Sequence, residues 1–366
     1  MAQTTSPVVS ALSTYAGEHV GDLFKKMVNG MEASRHLTVL PNVKDTAPLI
    51  KLLVTGGTRP FNSGTQFESA LEYSDRKLVT GVAKKELLVD PEQYRGTYLS
   101  KYMGAGANAD VVPFEAFTNE QIVSMFGSEL NDEVIYYGVD KSNFVAFDAG
   151  DTYAAGDYIT FTPSGDSVVS YYVGLATTLA AESPTTHPAK WQKINARAVA
   201  SGLKFHLDAA ITASAITPTT VGAINNTSVF ALASVRKVYQ DLPVAYRKGT
   251  TMAYMSFGTF DLLTADVEAQ LSKYTEMDLA SSMGLENAIY VPGTNRKLIA
   301  VAASWMGDSE RIICTPKENV ILGCDLLGDA NEIRTNANLW TLEMGLKFNL
   351  GVNFAVTEAI ACNDRA

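Results

Sequence analysis

Three cysteines, four histidines and a scatter of carboxylates are the groups in this 366-residue chain that could hold a metal or drive catalysis. Their spacing does not assemble them. Cys314, Cys324 and Cys362 are odd in number, widely separated and set among apolar residues, so they read as small buried hydrophobes and not as a disulfide or a metal site. His19, His36, His187 and His206 fit no HExxH or Cys/His ligand spacing and read as structural or exposed. Asp148 and Asp151 lie close together, as a weak cation site would require, but two ligands are too few for a calcium-type shell and a solvated turn accounts for them. Gly104 and Gly106 read as a turn, not a phosphate cradle. No GxSxG, GxGxxG or GxxxxGK[ST] motif occurs. No catalytic, cofactor-binding or metal-binding residue is therefore expected, no cofactor is expected, and ordinary enzymology is disfavoured.

Composition sets wider bounds. Hydrophobic residues make up 46% and charged residues 19%, which fits a chain with a sizeable core and excludes global disorder. The length suggests two or three packed units, or one large unit with an insertion. No apolar run approaches the roughly 20 residues that cross a bilayer. Met1–Pro7 lacks the basic start and apolar stretch of a secretory signal, so folding in a cytoplasm is expected. A net charge of −10 is the opposite of the basic footprint that grips DNA phosphates and predicts repulsion of polyanions.

The elements that must position these residues follow from periodicity. Residues 7–28 place Val8, Leu12, Tyr15, His19, Leu23 and Met27 near one helical face. Residues 55–66 read as a flexible stretch. Phe67–Tyr73 and Leu78–Val89 read as the two strands of a projecting hairpin, with Ser74–Lys77 as its turn. Asp90 and Pro91 suit a helix start. Thr118 with Gln121 has the form of a capping box opening a helix that Gly138 ends, with Ile122, Met125, Phe126, Leu130, Val134 and Tyr137 as its apolar stripe.

From Gly150 to about Asn195 aromatic and β-branched residues dominate. Asp157–Thr162 and Val168–Leu175 read as strands about a Pro163–Asp166 turn. Ser228 is placed as the cap of a helix carrying Leu232, Val235, Tyr239 and Leu242. A further helix is expected over Ser256–Leu271, and strands over Leu298–Trp305 and Arg311–Cys314. Last, apolar and polar or small residues alternate strictly from Trp340 to Val356. Such a strand would span about 55 Å at about 3.3 Å per residue. Gly345 and Gly351 leave open a bend, a bulge or two strands joined by a turn.

This order of elements resembles the Hong Kong 97-like capsid proteins of tailed bacteriophages. The resemblance rests on the leading arm, the hairpin region at Tyr73–Val89, the helix ending at Gly138, the entry Lys317–Asp325 and the exit Asn331–Arg334 with Trp340 onward. It implies an α+β fold with an N-terminal arm (1–55), an extended hairpin loop (56–100), a peripheral domain with the spine helix and long strands (101–149 and 298–366), a small all-β insertion (150–195) and an axial domain (196–297). It also implies a major capsid protein that self-assembles, as hexamers and pentamers, into an icosahedral shell around a double-stranded DNA genome. The expected partners are portal and scaffolding proteins and auxiliary decoration proteins, without sequence-specific DNA binding and without a membrane. The location would be the virion, and the host cytoplasm during assembly. Because the chain begins almost at the arm, a separate scaffolding protein or a precursor trimmed upstream is expected. Some relatives cross-link a hairpin lysine; Lys77, Lys84 and Lys85 occupy that region, and nothing in the sequence marks one as reactive.

The insertion resembles, more loosely, chitin-binding-type carbohydrate-binding modules, through Tyr153–Ile159, Tyr171–Val173, Ser183-Pro184 and Trp191. That resemblance implies glycan contact by Tyr153, Tyr172 and Trp191, since aromatic faces stack on sugars. The competing account is that these rings fill the core of a very small module. Three other readings of the whole chain stand beside the capsid one: an encapsulin-type nanocompartment shell, a carbohydrate-binding protein acting through the insertion, and a cytosolic enzyme.

Overall fold

The computed structural model describes residues 26–28, 30–55, 70–89, 114–271, 287–325, 332–337 and 342–365. Most of the helix expected over residues 7–28, the stretch 56–69, the helix start at Asp90-Pro91, Gly104, Gly106 and Trp340 lie outside them. In chain order the strands are β1 (Thr38–Pro41), β2 (Thr46–Thr55), β3 (Ala70–Val79), β4 (Gly81–Val89), β5 (Val145–Ala146), β6 (Tyr158–Phe161), β7 (Ser170–Gly174), β8 (Trp191–Lys193), β9 (Thr251–Met255), β10 (Ala288–Tyr290), β11 (Leu298–Ala302), β12 (Ile313–Thr315), β13 (Val320–Cys324), β14 (Glu332–Ala337), β15 (Leu342–Phe354) and β16 (Ala361–Cys362). The helices are α1 (Glu32–His36), α2 (Phe114–Glu133), α3 (Leu203–Thr212), α4 (Ala231–Asp241), α5 (Val244–Arg247) and α6 (Phe257–Leu271). No described helix is long and apolar enough to cross a membrane.

The chain forms two compact units, one of residues 1–35, 81–202 and 324–350, the other of residues 36–80, 203–323 and 351–366.

In the first unit, β15 pairs antiparallel with β4 on one side, from Leu342↔Val89 to Leu350↔Gly81, and with β14 on the other, from Glu332↔Lys347 to Ala337↔Leu342. The alternation seen in the sequence does produce a strand, thirteen residues long and unbroken at Gly345 or Gly351. Met344, Leu346, Phe348 and Leu350 bury one face completely, worth roughly 1.5–3 kcal/mol for each such side chain. The opposite face is not uniformly wet. Glu343 and Lys347 are exposed, whereas Asn349 is fully buried.

The long helix α2 starts at Phe114, so Thr118 lies inside it, and the capping box read at Thr118 and Gln121 is corrected. Its inward stripe is Val123, Phe126, Gly127, Leu130 and Asn131. Met125 is 66% exposed, which corrects its place in the predicted stripe. The error was one of helical phase: the i, i+3, i+4, i+7 set begins at Val123, not Ile122. Asn131 Oδ1 accepts from the Ala33 amide at 3.0 Å, and a Cβ on Gly127 would sit 2.5 Å from Met27 Cγ. Past the helix, Gly202 N–H donates to Gly138 O at 2.8 Å. A side chain at either glycine would press into backbone carbonyls, those of Ala200 and Val134 at Gly138 and that of Tyr136 at Gly202. Gly138 therefore serves a backbone crossing and not the helix end itself.

The region read as an insertion forms in this unit a four-stranded sheet in the order β5-β6-β7-β8, with β5 parallel to β6. It begins a few residues before Gly150, because Val145 and Ala146 supply its edge strand. Val168 and Val169 precede β7 and are exposed, which trims the strand read over Val168–Leu175.

In the second unit the sheet order is β10-β11-β9-β12-β16, with β9 and β11 parallel. Every residue of Thr251–Met255 and Leu298–Ala302 is buried, as expected of strands covered on both faces, which read as continuous apolar runs. Helices α4 and α6 pack on it through Leu232, Val235, Val238, Leu263 and Val267. Ser228 does not cap α4. Phe230 is its N-cap, and the first amides are taken by more distant groups: Ala231 N–H by Asn226 Oδ1 (3.0 Å) and Leu232 N–H by Asp266 Oδ2 (2.8 Å). The helix expected over Ser256–Leu271 is present as α6; the strand read over Leu298–Trp305 ends at Ala302, with a 3-10 turn over Ser304–Met306, and the one read over Arg311–Cys314 runs from Ile313 to Thr315.

Candidate assembly surfaces

The antiparallel ribbon is built from a different pair of strands than the sequence suggested. β2 pairs antiparallel with β3 through the full register Thr46↔Val79 to Thr55↔Ala70. Ser74–Lys77 is mid-strand, so the turn read there is corrected. The four consecutive polar residues Ser74–Lys77 suit a ribbon strand as well as they suit a turn, and composition did not separate the two. The connection at its far end, 56–69, lies outside the described residues. Ten paired residues on each strand give a ribbon of about 33 Å at about 3.3 Å per residue.

The root of this ribbon is held tightly. Leu78 is fully buried with Val43 and Leu49, and a Cβ on Gly323 would collide with the Leu78 side chain at 2.5 Å. Thr80 N–H and its hydroxyl both donate to Asp45 O, at 2.8 and 3.0 Å. Arg76 Nη2 donates to Asn353 Oδ1 (3.1 Å), and Asn353 Nδ2 donates to Lys77 O (2.8 Å). Burial lowers the Arg76 pKa from its ordinary value, partly offset by Glu358. The alternate residue Asn353, read from sequence as a polar outward position, is thus a buried amide that ties β15 to β3.

The sheet β14-β15-β4 presents a mixed-charge face. Register places Arg334, Gly345 and Glu86 in one row and Asn336, Glu343 and Leu88 in the next. Asn336 Nδ2 donates to Glu343 Oε2 at 3.0 Å. Leu88 (68% exposed) and Val82 (50%) stand on the outer side of β4. Of the three lysines singled out, Lys77 is exposed on β3, Lys84 pairs with Glu86 at 3.1 Å, and Lys85 pairs with Glu129 of α2.

The structure brings Tyr153, Tyr172 and Trp191 together, around Ile159 and Phe147. Tyr153 stacks on Phe147 (centroids 5.6 Å apart) and meets Trp191 edge-on at 5.6 Å. Trp191 Nε1 donates to Glu182 O at 2.9 Å, and the Tyr153 hydroxyl accepts from Asp148 N–H at 2.7 Å. With Tyr153 8% and Trp191 5% exposed, neither ring has a free face for a sugar. The two rings pack with Ile159 and Phe147 as the centre of this small sheet, as the core-filling account of them expects. Tyr172 is half-buried against Phe161. Glu182 organises the adjoining loop: its carboxylate accepts from Lys190 Nζ (2.5 Å) and Leu179 N–H (2.7 Å), which hold its pKa below the ordinary value.

The remaining chemical candidates are dispersed. Cys314, Cys324 and Cys362 are free and buried. Burial pushes the Cys324 thiol up to about 12 and raises the other two. His36 is buried and within reach of Trp305 Nε1 (3.4 Å), while His187 is exposed beside Glu182. Asp148 Oδ1 accepts from Gly150 N–H at 2.8 Å in an exposed turn. Among the described residues no group of three or more His, Cys, Asp or Glu side chains is arranged to hold a metal. Sequence reasoning passed over one feature, the Arg-Lys doublets at 236–237, 247–248 and 296–297.

No family model matches the sequence, and no curated protein matches it. Solved structures do resemble it. A chain of the satellite phage P4 procapsid including the size determination (Sid) protein superposes with a TM-score of 0.55 at 10% identity, covering 93% of this chain and 89% of that one. A chain of Microbacterium phage Oxtober96 gives 0.42 at 12% identity, covering 90% of each. The virus-like particle from Pyrococcus furiosus gives 0.41 at 10%, covering 93% and 98%. The P4 match spans nearly the whole of both chains, and it shows that this polypeptide has the Hong Kong 97-like phage capsid fold.

Proposed function

We propose that this chain is the major capsid protein of a tailed bacteriophage, a structural subunit and not an enzyme, which assembles with copies of itself into an icosahedral shell around double-stranded DNA. One observation carries this reading: a capsid fold matched over 93% of the chain, from which a ribbon of two ten-residue strands extends on a rigid root. A shell needs many repeated contacts, each weak enough to be corrected during assembly. Outreaching elements multiply such contacts so that avidity supplies the final strength.

In this reading the residues before Thr46 form the arm and 46–79 the extended loop. The sheet β14-β15-β4 with α2 forms the peripheral domain, and the β9-centred sheet the axial domain. The insertion, 145–195, is an added surface module. Hexamers and pentamers are the assembly units, with portal, scaffolding and decoration proteins as partners. The net charge of −10 limits adhesion of the genome to the wall.

The test is expression of the chain with and without the other structural proteins of its phage, followed by sedimentation and electron microscopy. Megadalton icosahedral particles are expected. A chain that stays monomeric under both conditions overturns the proposal, and closed particles that load a protein cargo and never DNA would reassign it to a nanocompartment.

A further inference from the structure

The doublets at 236–237, 247–248 and 296–297 come from α4, the end of α5 and the loop between β10 and β11. Folding of the second unit brings four of their cations around one open cavity of about 430 Å³: Arg236, Arg247, Lys248 and Lys297, with Tyr239 and Asn295 also in its wall. Among the described residues no carboxylate lines it. The lining therefore carries a formal charge of +4 within a chain of net charge −10.

These cations are not neutralised locally. None of the four takes part in an ion pair among the described residues. Arg236 is fixed in place: its Nε donates to Pro292 O at 2.7 Å and its guanidinium lies against Gly293, where a Cβ would come within 2.9 Å. Gly293 has φ +82°, so the loop conformation that admits the guanidinium is one that only glycine adopts without strain. Arg247 Nε is buried without a hydrogen-bond partner, a cost that a protein retains only for a reason. Like charges held this close repel one another, and a bound polyanion relieves the repulsion.

We propose that this cavity binds a small polyanion carrying adjacent phosphates, with Arg236 as a fixed donor and Arg247, Lys248 and Lys297 as the further cations of its wall. Guanidinium groups match phosphate oxygens in fork geometry, while lysines act as point charges. A concave site of this volume suits a compact polyphosphate better than a duplex, whose phosphates lie along a convex ridge. The chemistry is shared by a free polyphosphate and by the backbone of a single nucleic-acid strand, so the source has to be separated by experiment.

The test is isothermal titration of the purified full chain with sodium tripolyphosphate at low salt, repeated at rising salt and with an excess of a short single-stranded oligodeoxynucleotide. Saturable binding that weakens steeply with salt is expected. Arg247→Gln should weaken it about tenfold, as should the double change Lys248→Gln with Lys297→Gln. Both lysines are exposed, so the double variant should unfold at the parent temperature and separates lost binding from lost folding. Displacement by the oligonucleotide would assign the natural phosphate to nucleic acid; failure to displace would assign it to a free polyphosphate. Absence of binding at low salt, or equal binding by parent and double variant, overturns the proposal.

Discussion

Arg311 Nη2 donates to the Asp208 carboxylate at 3.0 Å, joining α3 to the segment before β12 across 103 positions of sequence. The arginine is 4% exposed, and its Nη1 donates to Asn363 O at 3.1 Å. Asn363 in turn accepts from Ile312 N–H (2.8 Å) and donates to Glu310 O (2.9 Å). This cluster fixes the C-terminal residues beside β12, which lies between β9 and the edge strand β16.

Removing only one member of a buried pair leaves the other charge without compensation. Asp208→Ala should cost about 2 kcal/mol, below the roughly 3–5 kcal/mol typical of fully buried pairs, because the Asp208 side chain is 43% exposed. Changing Arg311→Met in the same chain should recover part of that loss, since the stranded cation is then gone. Urea unfolding of the two single variants and the double variant reads the coupling; strictly additive losses would show that the pair does not act as a unit.

Two glycines of β15 should respond unequally to the same change. At Gly345 the nearest atoms to an added Cβ are 3.9 Å away, so Gly345→Ala should alter stability by less than about 0.5 kcal/mol. At Gly351 the Cβ would lie 2.4 Å from Val79 O and 2.9 Å from Thr80 Cα. Backbone cannot swing aside, so Gly351→Ala should cost about 2 kcal/mol or more and loosen the root of the ribbon. Thermal unfolding of the two variants side by side distinguishes them, and equal effects would contradict the packing described.

The cysteines should be chemically silent in the folded protein. The thiolate is the reactive form, and burial holds Cys324 at about 12 with Cys314 and Cys362 also raised. At pH 8 a disulfide reagent such as Ellman's should find no fast-reacting thiol in the native chain and all three after unfolding in guanidinium. A rapid native reaction would place at least one cysteine at the surface.

Glu182 gives the inserted module a pH dependence of definite sign. Lys190 and the Leu179 amide hold its folded pKa below the ordinary value. The stabilisation is therefore complete above the unfolded carboxyl pKa of about 4.3 and is lost as pH falls through the lowered folded value. Glu182→Gln should weaken the module at pH 7, and parent and variant should converge as the pH falls through that lowered folded value. Hydrogen exchange of the β7 and β8 amides as a function of pH reports this; a gap that widens on acidification would refute it.

The sequence alone carried the elements whose signal is a local period. The alternation through Leu342–Phe354 requires a strand because neighbouring side chains on a strand point to opposite faces, and the Ser256–Leu271 pattern requires a helix on the same logic. The order of these elements was enough for the capsid resemblance, and the aromatic richness of the insertion was enough for a small β module. What the sequence left undecided depends on partners distant in the chain. Ala70–Val79 pairs with Thr46–Thr55, and no property of Ser74–Lys77 distinguishes a strand crossing from a turn until that partner is placed. Asn349 and Asn353 look outward by alternation and are buried because both faces of β15 are covered there. Tyr153 and Trp191 have the composition of a sugar platform, and only packing shows that their faces are already occupied. The three basic doublets are ordinary solubilising charges in one dimension. They become a site only where α4, α5 and the β10–β11 loop converge, because a field is made by charges close in space and not in sequence.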